Sequence, residues 1–309
     1  RSNSLIIADS IRFTFVPPPF FFHSIAPPPR LQDPRGLCYT VAMKKSLSIG
    51  LCMLATILLI FVVAFVALQQ VITNETFVNN EFTKLEIADS MGMNTADLVS
   101  SMMVLVNYME GNVDSIDIIV SVNGQKVPMF EMEQEITHMA DVRQIYQTVR
   151  GYRDIAAIVL LVLLILAALI NFRQAPQSLA QGYLFGFFLM LVVFGFIGTW
   201  AYMDFSSFWT FFHEALFWND LWLFDASQSR MINMLPEQMF ADIIGRMGLY
   251  TGIVVGALLL LSILALIFSS ERYKQARAAA KVTRAQRKEY RKNRAALLEE
   301  RRKEAEEAK

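Results

Sequence analysis

The 309-residue chain has only two cysteines, Cys38 and Cys52. Two thiols cannot build a disulfide framework, and Cys52, inside an apolar run, reads as a small buried hydrophobe and a poor nucleophile. Charge is also scarce: 18% of residues are Asp, Glu, Lys or Arg, against 54% hydrophobic and 12% aromatic. No Gly-rich phosphate loop opens a helix, and no Gly-x-Ser-x-Gly nucleophile elbow occurs. The zinc-protease pattern fails too, because Phe217 stands where a second His would have to follow His213.

The apolar residues fall in long blocks instead of a periodic scatter. Four blocks, at about 47–68, 155–170, 184–202 and 249–268, are of the length a hydrocarbon-crossing helix needs, roughly 20 residues. The first follows Lys44 and Lys45 and exceeds the ~7–15 apolar residues of a signal peptide, so it reads as an uncleaved helix. Leu51 precedes Cys52 where a lipidation site wants a small residue, which argues against the chain being a lipoprotein itself. Residues 1–42 contain two proline triplets and no period of two or 3.6, and are expected to be disordered or foreign, with Met43 as the natural start.

The expected architecture is an α-helical integral membrane protein with four transmembrane helices. A leader, 1–42, precedes helix 1 (43–72), and a small extracytoplasmic α/β domain (73–154) leads to helix 2 (155–172). A cytoplasmic turn (173–183), helix 3 (184–202), an extracytoplasmic loop (203–247), helix 4 (248–270) and a basic cytoplasmic helical tail (271–309) complete the chain. Orientation follows the basic residues: Lys44 and Lys45 before helix 1, and a dense set from Arg272 to Arg294 after helix 4, put both termini in the cytoplasm. Arg150, Arg153 and Arg246 depart from that rule at the outer membrane edge. The tail reads as an anchor for anionic lipid, not as a nucleic-acid binder.

Within 73–154, Asn94 or Thr95 can cap a helix running toward Met109, with Gly111 as its stop. A strand-like stretch, 116–122, meets Asn123-Gly124, the strongest hairpin signal in the chain, and returns through 126–130. Residues 131–149 read as an amphipathic helix with Ile136, Met139, Val142 and Ile145 on its apolar face.

Chemistry concentrates on two histidines, His138 and His213, both near predicted membrane edges; His23 lies in the leader. His138 and Asp141 share a helix face, so the carboxylate could fix the imidazole's tautomer. Glu214, Asn219, Asp220, Trp222 and Asp225 follow His213 closely. His138, Asp141 and His213 could also supply a two-His, one-carboxylate metal set. The aromatics Trp200, Trp209, Phe211, Phe212, Phe217, Trp218, Trp222 and Phe224 suit either an interfacial belt or a pocket for an acyl chain.

His138-Met139-Ala140-Asp141-Val142, together with Phe212-His213, Phe217, Asn219-Asp220, Trp222, Asp225, Leu235-Pro236-Glu237 and Phe240, resembles the two signature blocks of the bacterial lipoprotein intramolecular transacylases. The likeness covers 43 to about 268, with departures at Leu216, Ala226, Ser229 and Arg230 that bear on the loop's shape. It implies a four-helix acyltransferase that moves an acyl chain within one diacylglyceryl-modified lipoprotein, with no cofactor and no catalytic metal. It further implies His213 and His138 as catalytic residues, and Asp141, Asn219, Asp220, Trp222 and Asp225 as supporting or substrate-binding groups. Membrane lipid is an expected partner, nucleic acid is not. Two rivals stand beside this reading, a non-catalytic sensor or scaffold and a metal-dependent membrane hydrolase.

Overall fold

The computed structural model describes residues 34–307, and the packing discussed here lies within the compact unit that begins at Ala42. Helix α1 runs Pro34–Ile72; α2 (Glu75–Lys84), α3 (Ile87–Met91) and α4 (Thr95–Glu110) follow. A hairpin of β1 (Ile119–Val122) and β2 (Gln125–Pro128) leads into α5 (Glu133–Ile170). A 3-10 turn, Phe172–Gln174, connects it to α6 (Ala175–Met203). Helices α7 (Phe205–Leu216) and α8 (Arg230–Met234) precede α9 (Glu237–Glu307).

Four helical segments, Ala42–Ile72, Glu133–Ile170, Phe172–Met203 and Glu237–Leu298, are long and apolar enough to cross a membrane. Their apolar portions leave Ile158, Leu161, Phe188, Phe196, Leu261 and Phe268 exposed, as suits side chains whose solvent is hydrocarbon. Small residues let α6 close onto α1. A Cβ on Gly182 would lie 2.5 Å from Cys52 Cβ and 2.6 Å from the Ile49 carbonyl, and one on Gly186 would lie 2.7 Å from Thr56 Cβ. This is the small-xxx-small spacing that membrane helices use for close approach. Buried polar groups join the spans further: Ser48 Oγ of α1 donates to Ala167 O of α5 (2.7 Å), Cys52 Sγ of α1 to Leu179 O of α6 (3.0 Å) and Tyr183 OH of α6 to Val255 O of α9 (2.6 Å).

The polar region after α1 folds around Val71, Val78, Phe82, Leu98, Met129 and Met139. Asn74 caps α2 by accepting from Phe77 N. Asn94 caps α4 in the same manner, and Gly111 ends it at φ 85°. Asn123 and Gly124 both have positive φ, 49° and 80°, which two-residue hairpin turns of the I′ type require. Val122 pairs with Gln125 across that turn. Arg150 and Arg153 are used inside the protein: Arg150 Nη1 donates to Glu110 O, and Arg153 bonds Gln69 and Asp154. Arg246 lies over the Phe77 ring.

Three boundaries differ from the sequence expectation. Helix α1 begins at Pro34, so 34–42 is helical, an N-terminus for which proline's fixed φ is suited; the remainder of the expected leader, with His23, lies outside the described residues. The amphipathic stretch and the second apolar run are one unbroken helix, α5, because the lone Gly151 between them keeps helical geometry. The expected turn 173–183 is mostly the first turns of α6, with Pro176 near its start where a missing N–H is harmless.

Candidate active site

Helix α5 carries His138 in its polar first half, well before the apolar 155–170. Helix α7 carries His213 in its last turn. Both imidazoles are buried, at 7% and 8% exposure, and their ring centroids lie 6.2 Å apart with planes inclined by 26°. Phe217 lies beside both, at 5.0 Å from the ring of His138 and 5.6 Å from that of His213. Trp222 stacks on His213 at 4.9 Å, Phe224 meets His138 edge-on at 5.4 Å, and Trp209 meets His213 edge-on at 4.6 Å.

The two rings differ in how they are held. His213 Nδ1 lies 2.8 Å from the carbonyl oxygen of Trp209 one turn earlier. A carbonyl only accepts, so Nδ1 carries the proton and Nε2 is left with the lone pair, the tautomer of a base. Burial pushes the His213 pKa down, against the pull of the Trp209 carbonyl and the Glu237 carboxylate. His138 is pushed down further, to about 4, first by burial and then by the nearby His213, with Asp141 opposing. Among the described residues, Nδ1 of His138 finds no hydrogen-bond partner, though it is buried. At neutral pH both rings are therefore uncharged, one with a fixed tautomer and one with a nitrogen free for a further contact.

Asp141, expected to fix the tautomer of His138, instead accepts from Asn219 Nδ2 at 2.9 Å. The pair ties the loop after α7 to α5, so both residues hold the site without touching its rings. Asp220 is exposed and makes no side-chain bond to either histidine. Asp225 organises the loop by accepting from Ser227 and Gln228, which hold its carboxyl below the usual range. Of the aromatics, Trp209, Phe212, Phe217, Trp222 and Phe224 line the site, Trp200 and Phe211 lie on the other side of α7, and Trp218 is fully exposed.

Glu135 was not singled out by sequence, since an acid three residues before His138 on an amphipathic helix reads as solvated. It is 1% exposed. Its carboxylate accepts from Ser229 Oγ (2.7 Å), Met231 N (3.1 Å) and Met132 N (3.3 Å), fastening α8 to the start of α5. Gln134 Nε2 adds bonds to Leu221 O and Leu223 O, both 3.0 Å. Together with Asn219–Asp141, these contacts suspend the whole loop from the first turns of one helix.

The rings open onto a cavity of about 970 Å³ whose walls are overwhelmingly aliphatic and aromatic. It sits at the upper end of the ~300–1,000 Å³ range of ligand pockets. Among the described residues, no three His, Cys, Asp or Glu side chains gather as a metal-holding group; Asp141 of the conceivable set is taken by Asn219. Two uncharged imidazoles in an apolar pocket can accept a proton and donate a hydrogen bond to a developing oxyanion.

The family model described as "Lipoprotein intramolecular transacylase Lit" matches residues 53–240. Among solved structures, the membrane integral lipoprotein intramolecular transacylase from Bacillus cereus is similar at 19% identity and a TM-score of 0.53, over 77% of this chain and 99% of that one. A variant of that protein with one histidine replaced by alanine matches at 18% identity with the same TM-score and coverage. No curated protein matches.

Proposed function

Since the chain belongs to the lipoprotein intramolecular transacylase family, an acyltransferase family, we propose that it moves the sn-2 acyl chain of a diacylglyceryl-modified N-terminal cysteine onto that residue's own α-amine. The product is a lyso-form lipoprotein. The observation that carries the mechanism is the pair of buried imidazoles 6.2 Å apart in one apolar cavity.

The α-amine of the substrate has a pKa of about 7.7–8.0 and is largely protonated at neutral pH. His213, with its lone pair on Nε2, takes a proton from it. The neutral nitrogen attacks the ester carbonyl, forming the C–N bond, and the oxyanion accepts a hydrogen bond from His138. On collapse the sn-2 C–O bond breaks, the glyceryl oxygen takes a proton from the imidazolium of His213, and the nitrogen's remaining excess proton leaves to solvent. An ester and an amine become an amide and an alcohol. Nucleophile and electrophile share one molecule, so correct positioning supplies much of the acceleration. Trp222, Phe217 and Phe224 exclude water from the intermediate, and Asp141 with Asn219 keeps the loop that carries them in place.

The basic residues flanking the first and last spans support a bacterial cell-membrane protein with both termini in the cytoplasm and the histidines on the outer face. The diacylglyceryl anchors of lipoproteins lie in that outer leaflet, and the exposed apolar faces of α5, α6 and α9 are suited to surrounding lipid.

The test is mass spectrometry of lipoprotein N-termini from cells lacking other N-acylating enzymes and expressing this chain. Lyso-form products are expected with the wild type and diacylated ones with His138→Ala or His213→Ala. Diacylated products with the wild type, or lyso-form products with either variant, overturn the mechanism.

A further inference from the structure

Resting on the acyl-shift reading above, we propose that the cavity measures the transferred fatty-acyl chain, with Phe65, Tyr146 and Val149 as the end wall that sets its length. Helix α5 lines the cavity with His138, Val142, Ile145, Tyr146 and Val149, positions that recur along one helical face. No residue of α5 beyond Val149 and none of α1 before Phe65 lines it. From His138 to Val149 the helix advances about 16 Å at 1.5 Å per residue. One leaflet of a ~30 Å hydrocarbon core is about 15 Å deep, which is the reach of a membrane acyl chain. A chain whose ester carbonyl sits at the imidazoles therefore reaches the end of the cavity at Val149, with its last methylenes beside Phe65 and Tyr146, the latter about 12 Å from His138 along the helix.

That end is built to stay fixed. The two rings lie 5.5 Å apart, inclined by 42°. Tyr146 OH accepts from Gln69 Nε2 (3.0 Å) and donates to Glu110 Oε1 (3.3 Å), which ties α5 to α1 and α4. Gln69 in turn accepts from Arg153, whose guanidinium lies 5.3 Å from the centroid of Phe65. A chain longer than the cavity would have to push methylenes into this polar set and break its hydrogen bonds. The flanks are different: Met102 and Met109 on α4 line the cavity, and their unbranched thioethers adapt to a bent or branched chain. A hard end and soft sides select for length more than for shape.

The experiment uses the full chain in cells lacking other N-acylating enzymes, fed fatty acids of mixed length, with tandem mass spectrometry reading the chain on the nitrogen. Tyr146→Leu, which shortens the wall, is expected to raise the long-to-short ratio of N-acyl chains by about ten-fold, the discrimination a methylene or two carries in an apolar pocket. Val149→Phe thickens the same end without touching the hydrogen bonds and is expected to shift the ratio the other way; it decides alone if Tyr146→Leu does not accumulate. Lyso-form product with the wild-type chain distribution in both variants, or in Val149→Phe when it stands alone, overturns the measuring role while leaving the transacylase intact. Failure of the wild type to give any lyso-form product overturns both.

Discussion

His138 is held uncharged by its surroundings, and that has a measurable thermodynamic cost in acid. Unfolded, its imidazole takes a proton at about pH 6.5; folded, burial and the neighbouring His213 delay protonation to about pH 4. The unfolded state therefore binds the extra proton first, so the contribution of His138 to stability is fully present above pH 6.5 and is lost as pH falls from there to 4. Linkage puts that loss at about 1.4 kcal/mol by pH 5.5 and about 3 kcal/mol by pH 4, with His213 acting in the same direction. The perturbation is His138→Asn, which keeps a polar side chain and removes the titration. Thermal unfolding of the detergent-solubilised chain should be followed from pH 7.5 to 4 for wild type and variant. Carboxylates titrate in both, so the difference isolates the imidazole: wild-type stability should fall relative to the variant by about 1.4 kcal/mol between pH 7.5 and 5.5. Parallel curves would refute the claim that the ring sits desolvated, and with it the uncharged His138 of the mechanism.

Asn219→Leu removes the amide that donates to Asp141 and should cut lyso-form production at least ten-fold while expression is retained, read by the mass-spectrometric assay. Glu135→Ala leaves Ser229 Oγ and Met231 N without their buried acceptor, a loss of about 2–3 kcal/mol; limited proteolysis should then cut within 217–229 well before it cuts the wild type. Gly182→Leu drives side-chain atoms into Cys52 and the Ile49 carbonyl, and should lower the unfolding temperature in detergent by an overpacking cost of about 1–3 kcal/mol, whereas Gly198→Leu, with open space around it, should not.

Much of this fold is legible from residue pattern because the signals are local. Asn123-Gly124 announces its hairpin, since few residue pairs tolerate two positive φ angles, and Gly111 marks a helix end for a related reason. Apolar blocks announce bilayer-crossing segments by length alone. The continuity of α5 is not announced: composition changes sharply near 154, but a change of solvent is not a change of backbone, and nothing between 133 and 170 breaks a helix. At the site, the two histidines are legible as a pair, yet their partners are not. His213 is fixed by a main-chain carbonyl, which every residue possesses and no pattern displays. Asp141 was assigned to the imidazole on its own helix face, and a long-range amide from Asn219 claims it first. Glu135 was invisible because burial of an acid depends on donors from Ser229 and Met231, far along the chain.

The unbroken α5 makes a lever of the arm that carries His138. His138 lies 17 residues before the apolar segment that opens at Ile155, a distance of about 25 Å along a rod with no hinge. Membrane helices answer a thinner or thicker bilayer by tilting, typically within ~0–40° of the normal. A tilt change of only ~10° about the base of that arm would swing the imidazole by about 4 Å, well over half its present spacing from His213. The threefold suspension of the loop from the first turns of α5 then has a mechanical meaning: Trp222, Phe224 and α8 hang from the arm itself, and would travel with His138 in such a tilt.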